Sequence, residues 1–473
     1  MPAHDAVIVG SGPNGLTAAA VLARAGWRVH VIEAAAVIGG GCRTAALTLP
    51  GFQHDICAAV HPTAQMSPAF RELDLMAQGV EWVSGPLALA HPLPDGEAAL
   101  LYNSLGATTA KLGVDGDPWG STLQPLLKEE FLASLLQPIW HVELGSFWPK
   151  ARFGLSALRS AAGFARSKFQ TDAARALFAG CAAHSTLPLE QAGTASFGLV
   201  LALSAHAFGW PIARGGSARI VEALAKIVAA HGGMIETGRS VTALAELPES
   251  RVVLFDINPA QIARIGGDAL PHGYARRLQG FPHGAGVCKV DWALAGPIPW
   301  RDAACAQAGT VHVGGTLEEI CASESAVARG ELPERPFVLA AQPSAWDASR
   351  APVGRHTGWA YCHVPNGCAV DMTERIEAQM ERFAPGFRDL ILARHTMTAP
   401  ALELHNPAMI GGDIGGGANA LMNFLFRPTP RWNPYTTPNP RLFVCSSSTP
   451  PGGGVHGMCG WHAAQAVLRR HRH

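Results

Sequence analysis

The chain opens on a short apolar run, Ala6 to Val9, broken at once by glycine. A stretch of small apolar residues follows (Ala18, Ala19, Ala20, Leu22), then a second apolar run, Val29 to Ile32. Continuous apolar runs of this length predict parallel strands covered on both faces, and the stretch between them predicts a helix, so the start reads as a βαβ unit. From about Pro68 to Lys226, Leu, Ala and Phe recur at helical spacing around Leu132, Leu135, Leu177 and Leu224, which predicts a mainly helical middle. Further strands are predicted at Ser240 to Ala245 and Arg251 to Phe255. Alternation at Cys288, Val290, Trp292 and Leu294 puts four apolar side chains on one strand face, with Lys289 and Asp291 on the other. Toward the far end, Leu442 to Cys445 predicts a strand, Ser446 to Gly454 a turn, and Val455 to Leu468 a helix.

Composition narrows what these elements serve. With 473 residues the chain is long enough for two to four units of about 100–200 residues. Only 15% of residues are charged, against about 25% in ordinary soluble chains, and Gly, Pro and Ala fill the difference. A large buried interior follows rather than a membrane protein. The 36 basic and 36 acidic residues cancel, which argues against a nucleic-acid partner, since a polyanion needs a concentrated cationic field. Ten cysteines form no C-x-x-C and no metal-like cluster, as expected of free thiols in a reducing compartment. The first residues lack the cationic start and long apolar core of a signal peptide, so a cytoplasmic location is expected. Gln191 to Ala213 carries no charge, yet Thr194, Ser196, Ser204, His206, Gly209 and Pro211 interrupt it, so it predicts a buried helix rather than a membrane span.

Chemistry enters with Gly10-Ser11-Gly12-Pro13-Asn14-Gly15, a G-x-G-x-x-G set between the first strand and the first helix, with Glu33 closing the second strand. Gly10 permits the tight turn, Gly12 lets a pyrophosphate approach the backbone, and Gly15 lets helix and strand pack closely. The helix N-terminus offers free N–H groups to the phosphates, and Glu33 suits a ribose 2′-hydroxyl. A dinucleotide is therefore expected. Soon after, Gly39-Gly40-Gly41-Cys42-Arg43-Thr44 forms a second glycine turn ending in a cation for the pyrophosphate. The terminal turn into a helix supplies a second helix start. That suits FAD rather than NAD, because a reduced flavin gathers negative charge at its N1 and C2-oxygen edge.

Taken together, GSGPNG with Glu33, the GGGCRT segment, Trp210-Pro211 before Gly215-Gly216, and the terminal SSSTPPGGGVHG resemble the phytoene desaturase-related, phytoene dehydrogenase-like branch of the flavin amine oxidase superfamily. The resemblance spans essentially the whole chain. It implies an α/β fold in which a Rossmann-like FAD-binding domain is assembled from discontinuous segments, 1–70, 205–285 and 435–473, and a helix-rich α+β substrate domain, 71–204 and 286–434, is inserted between them. It further implies that Gly10, Gly12, Pro13, Asn14, Gly15 and Glu33 hold the adenosine half and Gly40, Gly41 and Arg43 the pyrophosphate. Val241 would lie in a strand contacting adenine, and Gly453, Gly454, Val455 and His456 would lie at the flavin. The turn before Arg43 is one residue longer than the family's usual G-G-R, and no redox C-x-x-C or C-x4-C pair is present.

Three residues stand out as carriers of chemistry. Lys289 occupies a position similar to the lysine that holds a water against flavin N5 in that superfamily; it also reads as an ordinary strand lysine paired with Asp291. His456, beginning the terminal helix, and His363 are candidate bases, with His184 beside them, among twenty histidines most of which serve the core or surface. The Gly411 to Gly417 cluster around Asp413 reads as a loop beside the cavity. Trp82, Trp140, Trp148, Trp210, Trp300 and Trp359 read as core or as walls of an apolar tunnel. Only four tyrosines are present, so the paired aromatic cage of amine oxidases has no obvious source near the terminal motif. The expected activity is oxidation or desaturation of a hydrophobic small molecule by hydride transfer to FAD, with oxygen or a quinone as electron acceptor. Peripheral membrane contact would serve collection of a lipophilic substrate. A flavin-binding protein with little turnover and a flavin amine oxidase are the alternatives.

Overall fold

The computed structural model describes residues 3–138 and 147–471. The first two apolar runs form strands His4–Val9 and Val29–Ile32, joined by helix Pro13–Arg24. They sit inside a five-stranded sheet whose order is Leu442–Val444, Ser250–Phe255, His4–Val9, Val29–Ile32, Met234–Glu236, with all pairings parallel. Period-two alternation sends Ala6 and Ile8 to one core, with Leu16 and Leu22 of the first helix and Ile220 and Leu224 of helix Ala218–Ala230. Val7 and Val9 go to another core, with Ile262 and Leu278. Both faces are covered, which is why these strands contain no polar alternation.

A second, seven-stranded sheet runs Ile391–Met397, Gly286–Leu294, His356–Val364, Val338–Ala341, Ala308–Val313, Leu87–Pro92, Ala98–Tyr102. It is antiparallel except where Ala308–Val313 lies parallel to Leu87–Pro92. Cys288, Val290, Trp292 and Leu294 face one core, as the alternation predicts, packed by Ile376 and Met380 of helix Thr373–Phe383. The opposite face, expected to be polar, is buried too. Val287 of that face packs with Leu177 and Leu199 of helices Asp172–Ala183 and Ala195–Phe208.

Several expectations need correction. Leu87–Pro92 and Ala98–Tyr102 are strands within the stretch expected to be helical, because short buried apolar runs do not declare their period. Ser240 to Ala245 is not a strand. Glu246 takes the Thr242 N–H and hydroxyl onto its carboxylate and curls the segment into a short 3-10 turn, Leu244–Glu246, and the sheet edge is Met234–Glu236 instead. The terminal helix begins later than predicted, at Met458, after Gly454 and Gly457 at φ 119° and 65°. The uncharged segment does bury a helix, Ala195–Phe208, which crosses the domain boundary expected at residue 205 because it packs as one piece on Asp172–Ala183. No helix among the described residues is long and apolar enough to cross a membrane. All ten cysteines are unpaired.

A buried charge cluster ties the two-stranded ribbon of Thr44–Ala45 and His54–Asp55 to the turn at residues 347–350 and to the start of helix Ala218–Ala230. Arg350 pairs with Asp55 and, at 3.2 Å, with Asp347. Asp55 also accepts from Thr44 Oγ1 at 2.7 Å and from the Ser217 N–H at 2.8 Å, just before helix Ala218–Ala230.

Candidate cofactor and substrate site

The glycine turn is shaped by what surrounds it. Gly10 takes φ 100°. A Cβ on Gly15 would lie 2.3 Å from the Gly10 carbonyl oxygen, so strand and helix meet too closely there for any side chain. Pro13 occupies the first helical position and Gly12, which has no side chain to cap with, the N-cap. A Cβ on Gly40 would come 3.1 Å from Gly12 Cα, so the two glycine turns pack on each other.

Glu33 stands at the end of the second strand. Its Oε2 accepts from the Ser11 N–H at 2.9 Å and the Ser11 hydroxyl at 2.6 Å, and its Oε1 accepts from the Ala35 N–H at 2.9 Å. Arg43 donates to that same Oε1 at 3.4 Å and to the Ile38 carbonyl at 3.3 Å. The residue expected at the pyrophosphate is thus held against the residue expected at the ribose.

These groups open into a single cavity of about 1010 Å³. Its lining includes Gly10, Gly12, Pro13, Asn14, Glu33, Gly40, Gly41, Arg43, Val241, Gly453, Gly454, Val455, His456 and Lys289. Gly15 lies behind the lining, against Asp256. Val241 reaches the cavity from an extended loop rather than from a strand. His363 is the exception among the candidate bases: it is not in the lining, and its Nδ1 is tied to Glu324 Oε2 at 2.8 Å in the buried interior. The expectation that it faces the cavity is corrected on that ground, whereas His184 does line it.

His456 is fully buried and accepts the Met458 N–H on Nδ1 at 3.0 Å, which leaves the ring proton on Nε2, an atom with no partner. Burial pushes its pKa down to about 4, so the ring is neutral near pH 7 and serves as a donor. Lys289 is 2% exposed, ion-pairs with Asp291, and lies 5.9 Å from the centre of the Trp359 ring. Both readings of Lys289 meet here, since it pairs with Asp291 and lines the cavity.

Asp256 escaped the sequence, while Asp413 and Trp359, both named there, gain definite places. Asp256 follows strand Ser250–Phe255 directly, and its Oδ2 accepts the Gly15 N–H at 2.8 Å. Burial raises its carboxyl to about 7, with the charge of Glu33 adding and the Gly15 and Gly12 N–H groups opposing. An acid directly after an apolar strand was the available signal. Asp413 takes the Gly284, Gly415 and Gly417 N–H groups at 2.8, 2.8 and 2.9 Å and so shapes the glycine loop against the terminal turn. Trp359 and Tyr361, two apart on one strand, form an edge-to-face pair 5.2 Å between centres in the cavity wall, so Trp359 lines the cavity and the aromatic pair comes from this strand rather than from the terminal motif. Of the other tryptophans considered for a tunnel, Trp210 lines the cavity and Trp82 and Trp300 do not; Trp140 and the Trp148 side chain lie outside the described residues.

The donors and gaps fit a dinucleotide. The N-cap is a glycine with no side chain over the helix start, Gly12, Pro13, Gly40 and Gly41 put backbone in the cavity wall, and the buried Asn14 Oδ1 and His456 Nε2 have no partners.

Known proteins agree on the frame. Residues 8–74 match the family of NAD(P)-binding Rossmann-like domains. Pyridine nucleotide-disulfide oxidoreductase domain-containing protein 2 of Mus musculus is 25% identical over 99% of this chain and 94% of its own length. A limonene dehydrogenase chain from Castellaniella defragrans is 34% identical over 101 residues, 21% of this chain and 18% of that one. Putrescine oxidase bound to putrescine superposes with a TM-score of 0.64 at 17% identity, over 99% of this chain and 98% of the other. The chain is thus similar from end to end to the pyridine nucleotide-disulfide oxidoreductase domain-containing protein 2, matches the NAD(P)-binding Rossmann-like family over residues 8–74, and shares the fold of putrescine oxidase.

Proposed function

We propose that the protein is an FAD-dependent oxidoreductase that oxidises or desaturates a hydrophobic small molecule. The observation that carries this reading is one continuous cavity joining the glycine turn and Glu33 to the terminal Gly453–His456 turn and to a wall of Phe131, Leu135, Phe153, Phe197 and Leu201. At about 1010 Å³ it stands at the upper end of the range of about 300–1,000 Å³ usual for small-molecule sites. With helix Ala195–Phe208 kept whole on the substrate side, the segments 1–70, 209–285 and 435–473 would form the cofactor domain and the remainder the substrate domain.

Gly10, Gly12, Pro13, Asn14, Gly40 and Gly41 would present backbone to the pyrophosphate, with Gly15 keeping the helix close behind them. Arg43 would turn from Glu33 to the phosphates, leaving Glu33 for the ribose. His456 would donate from Nε2, and Val241 would cover the adenine side. When bound, FAD would supply a hydride acceptor at N5, with oxygen or a quinone as final acceptor. Lys289 would hold a polar atom or water at the otherwise apolar wall. The apolar lining would orient the substrate and exclude water. Limonene, named in one relative, is an apolar alicyclic compound of the kind this wall suits.

A second reading, amine oxidation, is favoured by the Trp359–Tyr361 pair and by the putrescine oxidase fold. One experiment ranks the two. Purified protein should show flavin absorption bands, and anaerobic mixing with alkenes, cyclic ketones and amines should bleach them. Bleaching by apolar compounds supports the first reading, and bleaching by amines alone replaces it with the second. A yellow protein that none of them reduces is a flavin binder with little turnover, and a colourless protein that takes up no FAD overturns the proposal.

A further inference from the structure

We propose that Asp291 and His395 form a proton exit through the cavity wall, with Lys289 at its inner end. The purpose given to it rests on the oxidative reading above: taking hydride from a C–H bond leaves a proton behind, and an apolar wall offers it no solvation.

Lys289 Nζ is bonded to Asp291 Oδ2, and Asp291 stands directly opposite His395 in the antiparallel register of Gly286–Leu294 with the edge strand Ile391–Met397. His395 Nδ1 lies 3.7 Å from Asp291 Oδ2. That Nδ1 is buried without a hydrogen-bond partner, and so is Asp291 Oδ1. The Lys289 and Asp291 side chains are 2% and 0% exposed, and that of His395 is 32% exposed. Two sealed groups therefore end on a ring that water reaches. A small turn of the imidazole, or one bridging water, closes the 3.7 Å gap.

A competing branch leaves Asp291 Oδ1 toward His54 Nδ1, also at 3.7 Å, and continues from His54 Nε2 to Thr48 Oγ1 at 2.8 Å. His54 is sealed in the interior, and burial holds its pKa down to about 4, so its charged form is costly there. The His395 ring, by contrast, is in contact with solvent. The other charged neighbours do not block the route: burial holds the pKa of His405 down, and Arg394 is bonded to Glu377 at 2.5 and 3.0 Å.

The transfer balances as one proton in and one out. Lys289 gives a proton to Asp291 as it takes one from the cavity. Asp291 passes its proton to His395 Nδ1, and Nε2 releases one to water. Asp291 and His395 are positioning residues in this scheme, since they act through Lys289.

The chain has only six lysines, so 15N-labelled side-chain ammonium signals are few, and hydrogen exchange of the Lys289 ammonium with water reads the route directly. His395→Leu should slow that exchange at least ten-fold, and His395→Gln, which keeps size and polarity, should do the same. Thr48→Val should leave it unchanged. Imidazole in the buffer should speed exchange in His395→Ala and not in the parent protein. Unchanged exchange in His395→Leu and His395→Gln, slowing by Thr48→Val instead, or no response to imidazole overturns the proposal. The measurement does not involve a flavin, so a colourless protein would defeat the oxidative reading without touching this result.

Discussion

Gly12 and Gly15 both face Asp256, yet an added methyl group would meet different things. At Gly12 it would lie 2.6 Å from Asp256 Oδ2, the end of a side chain that can swing away; at Gly15 it would lie 2.3 Å from the Gly10 backbone oxygen, which cannot. Gly15→Ala should therefore cost at least about 1–3 kcal/mol of stability and weaken FAD binding, while Gly12→Ala should be the milder change. Adding Asp256→Ala should relieve the second and not the first, as thermal melts and FAD titration would show. Lys289 offers a parallel case. Lys289→Met should retain FAD and slow flavin reoxidation, measured by stopped-flow absorbance. Because Asp291 is then left buried without its cation, about 3–5 kcal/mol of stability should go too. Asp291→Asn in the same protein should restore part of the stability and leave reoxidation slow.

Between elements, helix Met458–Arg470 packs tightly on helix Pro13–Arg24. A Cβ on Gly460 would fall 1.8 Å from the Asn14 carbonyl oxygen, and one on Gly457 2.3 Å from Thr17 Oγ1. Gly460→Ala must push the helices apart, and it should lower the denaturant midpoint more than Gly12→Ala does, with loss of FAD binding as the terminal turn shifts. This contact also shows where sequence reading reaches its limit. The turns at Gly10–Gly15 and Ser446–Gly454 were legible because their chemistry is local: a strand, a turn and a helix start within a few residues. The pairing of Arg43 with Glu33 was not, because it depends on how the longer glycine turn folds back. Asp256 was missed because its role exists only once Ser250–Phe255 lies beside His4–Val9. Leu87–Pro92 was misread since its opening Leu-Ala-Leu-Ala fits a buried strand and a helix equally well.

Across the molecule, burial sets the response to pH. His54, His61, His91, His206 and His456 are each pushed down to about 4 by burial, from an ordinary value of 6.5. Between those limits the unfolded chain binds protons that the folded chain does not, so stability rises with pH across this window and is lost as pH falls through it. Asp256 works the other way: raised by burial from 3.8 to about 7, it makes the fold less stable as pH climbs between those values. Five histidines outweigh one carboxyl below 6.5, so the melting temperature should drop steeply from pH 6.5 to 4 and change little, with a slight fall, from 6.5 to 7.5. The Arg350 cluster makes a separate prediction at this scale. Arg350→Met leaves Asp55 buried without its cation and Asp347 with only Arg214, 4.0 Å away, and should cost about 3–5 kcal/mol, checked by chemical denaturation.

The five-stranded sheet also has a consequence in time. Ala6 pairs with Val252, and Val253 pairs in turn with Leu442. At about 5–20 residues per second of synthesis, the first strand waits on the order of tens of seconds for its inner neighbour, and the sheet cannot close until its last strand emerges. Through that interval the first strand is paired on one side only, by Val29–Ile32, and its other edge and the Gly15 N–H wait for Ser250–Phe255 and Asp256. The cofactor site is among the last parts of the molecule to exist.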